Sequence, residues 1–459
     1  MLAWFAANAW LPQGWAQNVR CEIEAQGRIA RIDVGANSDG RDGCERIDGP
    51  VIPGLCNLHS HAFQRAFAGL AERSQGDDQG DNFWTWRELM YRFVARLSPE
   101  SLGHIAAQLY VELLKGGYTS VCEFQYVHRD LNGFAYANAG EMSERIIAAA
   151  REMDIGLTLL PVLYMTSNFG GAPPHTGQRH FLSDPEMLLR LVQDLRKRYG
   201  GAICVGVAPH SLRAVPPQAL DALVGGLAAL GGGPIHIHVA EQTKEVDDCL
   251  AWSGQRPVRW LLDKQPVTPA WCLVHATHMT PDETLALAQA GAVAGLCPTT
   301  EANLGDGFFA LPEYARHGGV YGIGSDSNIS TSCAEELRWL EYGQRLKFRK
   351  HNVMASDVGR SVGEALYGQV LFGGARAAGR PVGGLEVGHR ADLVVLDPNH
   401  PSLIGRGRDS WLDAYVFCAL GNPVRDVMVG GKWVIRGGRH ALEEGTAQRY
   451  AGALRELMQ

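Results

Sequence analysis

The amino-acid sequence predicts an α/β protein: a (β/α)8 TIM-like barrel with a small β-sandwich domain built from both chain termini. Three observations carry that expectation. Between about residues 51 and 380, eight short apolar, β-branched runs alternate with longer amphipathic stretches, the pattern of parallel strands buried on both faces and separated by helices. Nearly every run closes on His, Glu, Asp or Tyr, and barrels of this kind gather their active sites at the C-terminal ends of the strands. The two ends of the chain share a different texture, short strands joined by Gly, Asn and Asp turns, which reads as sheet rather than helix.

In chain order, residues 1–50 contribute alternating segments such as VRCEIEA and RIARIDVG to the terminal sheet. The barrel, residues 51–379, then supplies VIPGLCNLHSH (51–61), YTSVCEF (118–124), IGLTLLPVLY (155–164), AICVGVAPH (202–210), PIHIHVAE (234–241), WCLVHATH (271–278), AVAGLCPTTE (292–301) and VYGIGSDS (320–327). Two inserts interrupt it. Residues 64–98 hold the polar SQGDDQGDN followed by Trp84, Trp86 and Arg87, and TSNFGGAPPHTGQ follows the third run; both read as rim loops or lids. Phe83, Trp84 and Trp86 read as packing. Residues 380–459 return to the sheet with GGLEVGHRADLVVLD and VRDVMVGGKWVIRGGRH.

Composition narrows the function. A chain of 459 residues buries roughly three quarters of the surface its unfolded form exposes, so a metal is not needed to make a core and any metal is suspected of chemistry. The net charge is −7 and no stretch concentrates Lys and Arg, which argues against nucleic acid. No apolar run approaches the ~20 residues of a membrane span. The 10 cysteines are scattered without a C-x-x-C pair, as in reduced proteins. The opening MLAWFAANAWLPQGW carries no basic residue before Arg20 and is broken by Pro12 and Gly14, unlike an export signal. The expected setting is the cytoplasm.

His59 and His61 fall at i and i+2 on the first strand and so project to one side at the barrel mouth. His238 ends the fifth strand, His275 the sixth and Asp326 the eighth, all at the same rim. Three histidines and a carboxylate make an N/O ligand set suited to zinc, with a position left open. Glu241, three residues past His238, can lean over such a metal without ligating it and serve as a proton shuttle. His278 rivals His275 for the sixth-strand role; His275 is favoured because it follows WCLV directly. GIGSDS is no dinucleotide fingerprint, since Ser327 replaces the third glycine, and neither a G-x-S-x-G elbow nor a Walker loop is present.

HSH at the first strand, HVAE at the fifth, VHATH at the sixth and GSDS at the eighth resemble the amidohydrolase superfamily, in the branch that deaminates with one metal. More closely, LHSHAFQRAFAGLAER, APHSLRAV, HIHVAEQTKEV and GIGSDSNIS are similar to its members that convert N-formimino-L-glutamate to N-formyl-L-glutamate and ammonia in histidine breakdown. The resemblance implies that His59, His61, His238 and Asp326 hold one divalent metal, zinc, and that Glu241, His275 and Asp326 are catalytic. It points to Gln64, Arg87, Tyr126, His210 and Arg213 for substrate binding. Arginine forks there would meet an amino-diacid's carboxylates. A homodimer is expected. The competing expectation is a deaminase or chlorohydrolase of the same superfamily acting on a purine, pterin or triazine.

Overall fold

The computed structural model describes residues 2–37, 44–73, 83–355 and 359–458; the SQGDDQGDN tract lies outside them. All eight expected barrel runs contain a strand: Leu55–Ser60, Tyr118–Gln125, Gly156–Leu163, a fourth in two pieces (Cys204–Val205 and Ala208–Pro209), Ile235–Val239, Trp271–His275, Val293–Leu296 and Val320–Ile323. Each pairs in parallel with its sequence neighbour, the first four in one ladder and the last four in another. Parallel bridges Val207↔Ile235 and Ser211↔His238 join the fourth strand to the fifth, and Ser60↔Asp326 joins the eighth back to the first. The barrel is closed. Almost every strand residue is buried, which is why these strands read as continuous apolar runs rather than alternating ones.

The fourth strand is interrupted for a local reason. A Cβ on Gly206 would lie 2.3 Å from the Pro234 carbonyl oxygen, so the chain needs glycine where the fourth and fifth strands converge, and Pro209 has no N–H to extend the ladder.

The run 51–61, read from sequence as one strand, is two. Val51–Pro53 pairs antiparallel with Leu393–Val395 and touches Leu2–Leu11 at Ala9, so it belongs to the terminal sheet; the barrel strand starts at Leu55. The break falls at Gly54, where a Cβ would lie 2.1 Å from the Thr119 side chain. Strands from both chain ends hydrogen-bond into one nine-stranded sheet. Trp4, Val19, Cys21, Ile29, Leu393, Val395 and Met428 build its own core, separate from the barrel's. The helix Glu443–Met458 leaves that sheet for the barrel: Lys115 Nζ lies 3.0 Å from Glu443 and Arg96 donates to the Leu457 carbonyl at 3.1 Å.

The first insert contains the helix Phe83–Val94. Phe83, Arg87, Met90, Tyr91 and Val94 recur at helical spacing, so one face turns toward the barrel mouth. The second insert makes two 3-10 turns, Phe169–Gly171 and Thr176–Gln178. Gln178 is buried and donates to the Tyr164 hydroxyl at 2.6 Å.

Candidate metal centre and active site

His59, His61, His238 and Asp326 converge at the C-terminal rim, one potential ligand atom from each within 4.8 Å of the others. Asp326 Oδ1 is 3.4 Å from His59 Nε2 and 3.3 Å from His61 Nε2, and His59 and His238 bring Nε2 atoms to 3.0 Å. The tautomers follow from the partners. His61 Nδ1 faces the Phe124 carbonyl at 3.0 Å and His238 Nδ1 the His210 carbonyl at 2.9 Å. A carbonyl only accepts, so both Nδ1 atoms donate and both Nε2 lone pairs point inward. Burial holds all three imidazoles neutral, His59 down to about 3 and His238 well below its ordinary value. Burial pushes Asp326 up, but the His59 hydrogen bond and the positive charge of His275 outweigh it and keep the carboxylate ionised. Inward lone pairs and one anion in a buried site leave like partial charges facing each other, and a divalent cation is what such a set fits.

Glu241 and His275 stand on the open side of this cluster. His275 Nε2 lies 3.8 Å from Glu241 Oε1 and 3.7 Å from Asp326 Oδ2. Burial raises the Glu241 carboxyl, to about 7, so it can gain and lose a proton near neutrality. Burial alone would lower His275, but Glu241, Glu301 and Asp326 raise it instead. His275, Ala276, Ala240 and Asp326 all hold left-handed backbone, at φ 67, 48, 52 and 46°, strain of the kind that gathers at functional sites. His278 is half-buried outside the pocket, its N–H on the Ala240 carbonyl at 3.0 Å and its own carbonyl accepting from Arg256 at 2.6 Å.

All five expected substrate positions line the same pocket, together with His61, His238, Glu241, His275 and Asp326. Gln64 donates to the Tyr126 hydroxyl at 2.8 Å, and its Oε1 is buried without a partner. His210 Nδ1 is 3.1 Å from Ser211 Oγ. Arg213 is 4% exposed. The Arg87 and Arg213 guanidiniums lie 4.4 and 5.6 Å from the Trp84 ring centroid, and the Nε of each is buried without a hydrogen-bond acceptor among the described residues. Phe83 and Trp86, read from sequence as packing, line the pocket as well.

Sequence reasoning missed three supporting groups. Glu301 accepts the Nδ1–H of His275 at 3.2 Å and the Cys297 N–H at 2.9 Å, which turns His275 Nε2 toward the pocket. Glu245 accepts the N–H groups of Ala240 and Glu241, both at 3.2 Å, and so holds the left-handed turn that carries Glu241. Tyr164 joins the pocket wall from the end of the third-strand run. Its place after IGLTLLPVL was the available signal.

The Amidohydrolase family model matches residues 51–434. The chain belongs to the amidohydrolase family. A second family model, Formimidoylglutamate deiminase HutF, N-terminal domain, matches residues 1–46 of this amidohydrolase. The chain is 54% identical over 459 residues, all of both proteins, to formimidoylglutamate deiminase of Pseudomonas aeruginosa. It is 29% identical to 8-oxoguanine deaminase of the same organism over 83% of this chain and 81% of that one. Among solved structures, an amidohydrolase from Brucella melitensis superposes with a TM-score of 0.94 at 49% identity and full coverage of both chains. The zinc complex of atrazine chlorohydrolase from Arthrobacter aurescens superposes at 0.84 and 18% identity, covering 99% of this chain and 100% of that one, a likeness of fold alone.

Proposed function

We propose that this amidohydrolase is a formimidoylglutamate deiminase: it hydrolyses the C=N bond of N-formimino-L-glutamate to give N-formyl-L-glutamate and ammonia in histidine degradation. The observation that carries the reading is the pair of arginines on Trp84, each with an unpartnered buried Nε, in the pocket whose floor is the His/Asp cluster. A neutral purine gives no reason to bring two guanidiniums to the pocket wall, each with a buried Nε that has no partner among the described residues. An amino-diacid with two carboxylates does, because each guanidinium offers a fork that a carboxylate fills. The full-length likeness to a formimidoylglutamate deiminase supports the same choice.

His59, His61, His238 and Asp326 would hold one zinc ion. Bound there, it supplies Lewis acidity that brings the pKa of a water to about 7. The remaining work falls to the chain's own residues. Arg213 and Arg87 take the substrate carboxylates, with Gln64, Tyr126 and His210 as further donors or acceptors, and thereby fix the formimino carbon over the cluster. Asp326 takes the proton of the attacking water. His275, oriented by Glu301, holds the charge that develops on the attacking oxygen. Glu241 protonates the departing nitrogen, for which a carboxyl that titrates near neutrality is suited.

The expected setting is the cytoplasm, in keeping with ten unpaired cysteines. The expected assembly is a homodimer, checked by analytical ultracentrifugation. Function is tested by ammonia release from N-formimino-L-glutamate beside guanine, adenosine and S-adenosylhomocysteine. The formimino substrate should be preferred by orders of magnitude in kcat/KM; preference for any of the purines would overturn the reading.

A further inference from the structure

Three of the four metal-ligand candidates sit on the two sides of one seam, and His238 comes from the fifth strand. His59 and His61 come from the first strand, Asp326 from just past the eighth, and Ser60↔Asp326 is the sole bridge between these strands among the described residues. Two backbone bonds span it, His61 N–H to the Asp326 carbonyl at 3.0 Å and Asp326 N–H to the His59 carbonyl at 2.9 Å. The other neighbouring strands of each half-barrel share longer ladders.

Buried side chains reinforce this seam. Asn57 Nδ2 donates to Ser325 Oγ at 2.6 Å and accepts the Ser325 N–H on Oδ1 at 3.0 Å. Ser325 Oγ donates onward to Asn328 Oδ1 at 2.6 Å. Asn328 Nδ2 then donates to the Asp326 carbonyl at 3.0 Å and the His61 carbonyl at 3.1 Å, with Ser60 Oγ at 3.4 Å. Asn57, Ser325 and Asn328 are each 0% exposed. The two strands are close enough that a Cβ on Gly324 would lie 2.8 Å from His59 Cβ.

Position 328 makes four demands at once. It needs two N–H donors for carbonyls on opposite sides of the seam, an acceptor for Ser325, a short side chain, and tolerance of φ 59°. Asparagine meets all four; Asp lacks the donors, Ser has one, and Gln is a methylene too long. Asn328 touches the backbone of His61 and Asp326 and none of the ligand atoms.

We infer that Asn57, Ser325 and Asn328 form a positioning clamp that holds Asp326 against His59 and His61, and that it sets how firmly the metal is retained rather than how fast the chemistry runs. This rests on the metal-site reading above. Groups that orient ligands from behind typically contribute 10- to 100-fold to metal affinity.

The test uses the zinc-loaded full chain with Asn328→Gly, which keeps the left-handed backbone at no steric cost while deleting the clamp. The His61 carbonyl retains the Gln64 N–H at 2.9 Å and the Asp326 carbonyl retains the His61 N–H, so neither is orphaned. Release of zinc to a chromophoric chelator, and the rise in melting temperature on zinc binding, are measured for wild type, Asn328→Gly and Ser325→Ala. The expected result is zinc affinity weakened about 10- to 100-fold in Asn328→Gly and by less in Ser325→Ala, a reduced zinc-dependent rise in melting temperature, and kcat within about twofold of wild type when zinc is saturating. Zinc release at the wild-type rate in Asn328→Gly overturns the clamp; should that variant not fold, Ser325→Ala decides by the same measure. A wild-type chain that takes up no zinc overturns the metal-site reading and the clamp with it.

Discussion

Under the proposed function, Glu241 and Arg213 are the residues at which chemistry and recognition separate. Glu241 is buried, raised to about 7, and 3.8 Å from His275, yet stands outside the four-residue ligand cluster. Glu241→Gln keeps shape and removes the proton shuttle, so turnover should fall by at least ~10² with metal retained; steady-state kinetics beside metal analysis checks this, and near-normal turnover would contradict the assigned role. Arg213→Met should weaken use of N-formimino-L-glutamate by about 2 kcal/mol or more, because a charged group loses its partner, while a formamidine lacking carboxylates is little affected. Equal losses on both substrates would place Arg213 in support of the fold instead. At this scale much of the site was legible: His59 and His61 share a face by strand alternation, and Glu241 follows His238 at a fixed spacing. Glu301 and Glu245 were not: Glu301 acts on His275, which only the tertiary fold delivers, and Glu245 caps a left-handed turn at Ala240 whose backbone conformation no residue pattern announces.

The helix Phe83–Val94 brings Phe83, Trp86, Arg87, Met90 and Tyr91 to the pocket from an insert rather than from a strand end. Its sequence was read as a rim loop because the polar tract before it and the aromatic run FWTW mask the helical recurrence of Phe83, Arg87, Met90, Tyr91 and Val94. The Arg87 and Arg213 guanidiniums both contact the Trp84 ring, contacts of ~1 kcal/mol or more each where partly desolvated. Trp84→Ala should therefore raise KM for N-formimino-L-glutamate by roughly tenfold, with metal content kept and kcat changed much less. Loss of kcat at constant KM would show that the helix serves the chemical step and not recognition. The barrel strands were legible for the opposite reason: burial on both faces leaves an unbroken apolar run. The division at Gly54 escaped because VIPGLCNL is apolar on both sides of it, and only the approach of Thr119 marks the boundary.

The whole molecule buries several neutral histidines, and that sets its response to acid. His128 and His236 lie outside the ligand cluster, bonded to the Val162 and Ala377 carbonyls at 2.8 and 2.9 Å, and burial lowers each from 6.5 to about 4. A depressed histidine binds its proton in the unfolded chain first. Its contribution to stability is therefore full above about pH 6.5 and is lost as pH falls toward 4, at about 1.4 kcal/mol per unit and so on the order of 3 kcal/mol for each residue. Urea denaturation of metal-stripped protein should show stability falling between pH 6.5 and pH 5, a loss that the carboxyls raised by burial, Glu123 to about 8 and Glu241 to about 7, reduce but do not cancel; a profile flat or rising down to pH 5 would contradict it. The same burial that makes the core also keeps the Nε2 lone pairs of His61 and His238 free at neutral pH, which links the fold to the proposed reaction. The most direct test of that reaction is the product formed from N-formimino-L-glutamate in 18O-labelled water. Attack at the formimino carbon with departure of the terminal nitrogen gives ammonia and N-formyl-L-glutamate in equal amounts, with one labelled oxygen in the formyl group; glutamate and formamide, or no turnover, would contradict the account.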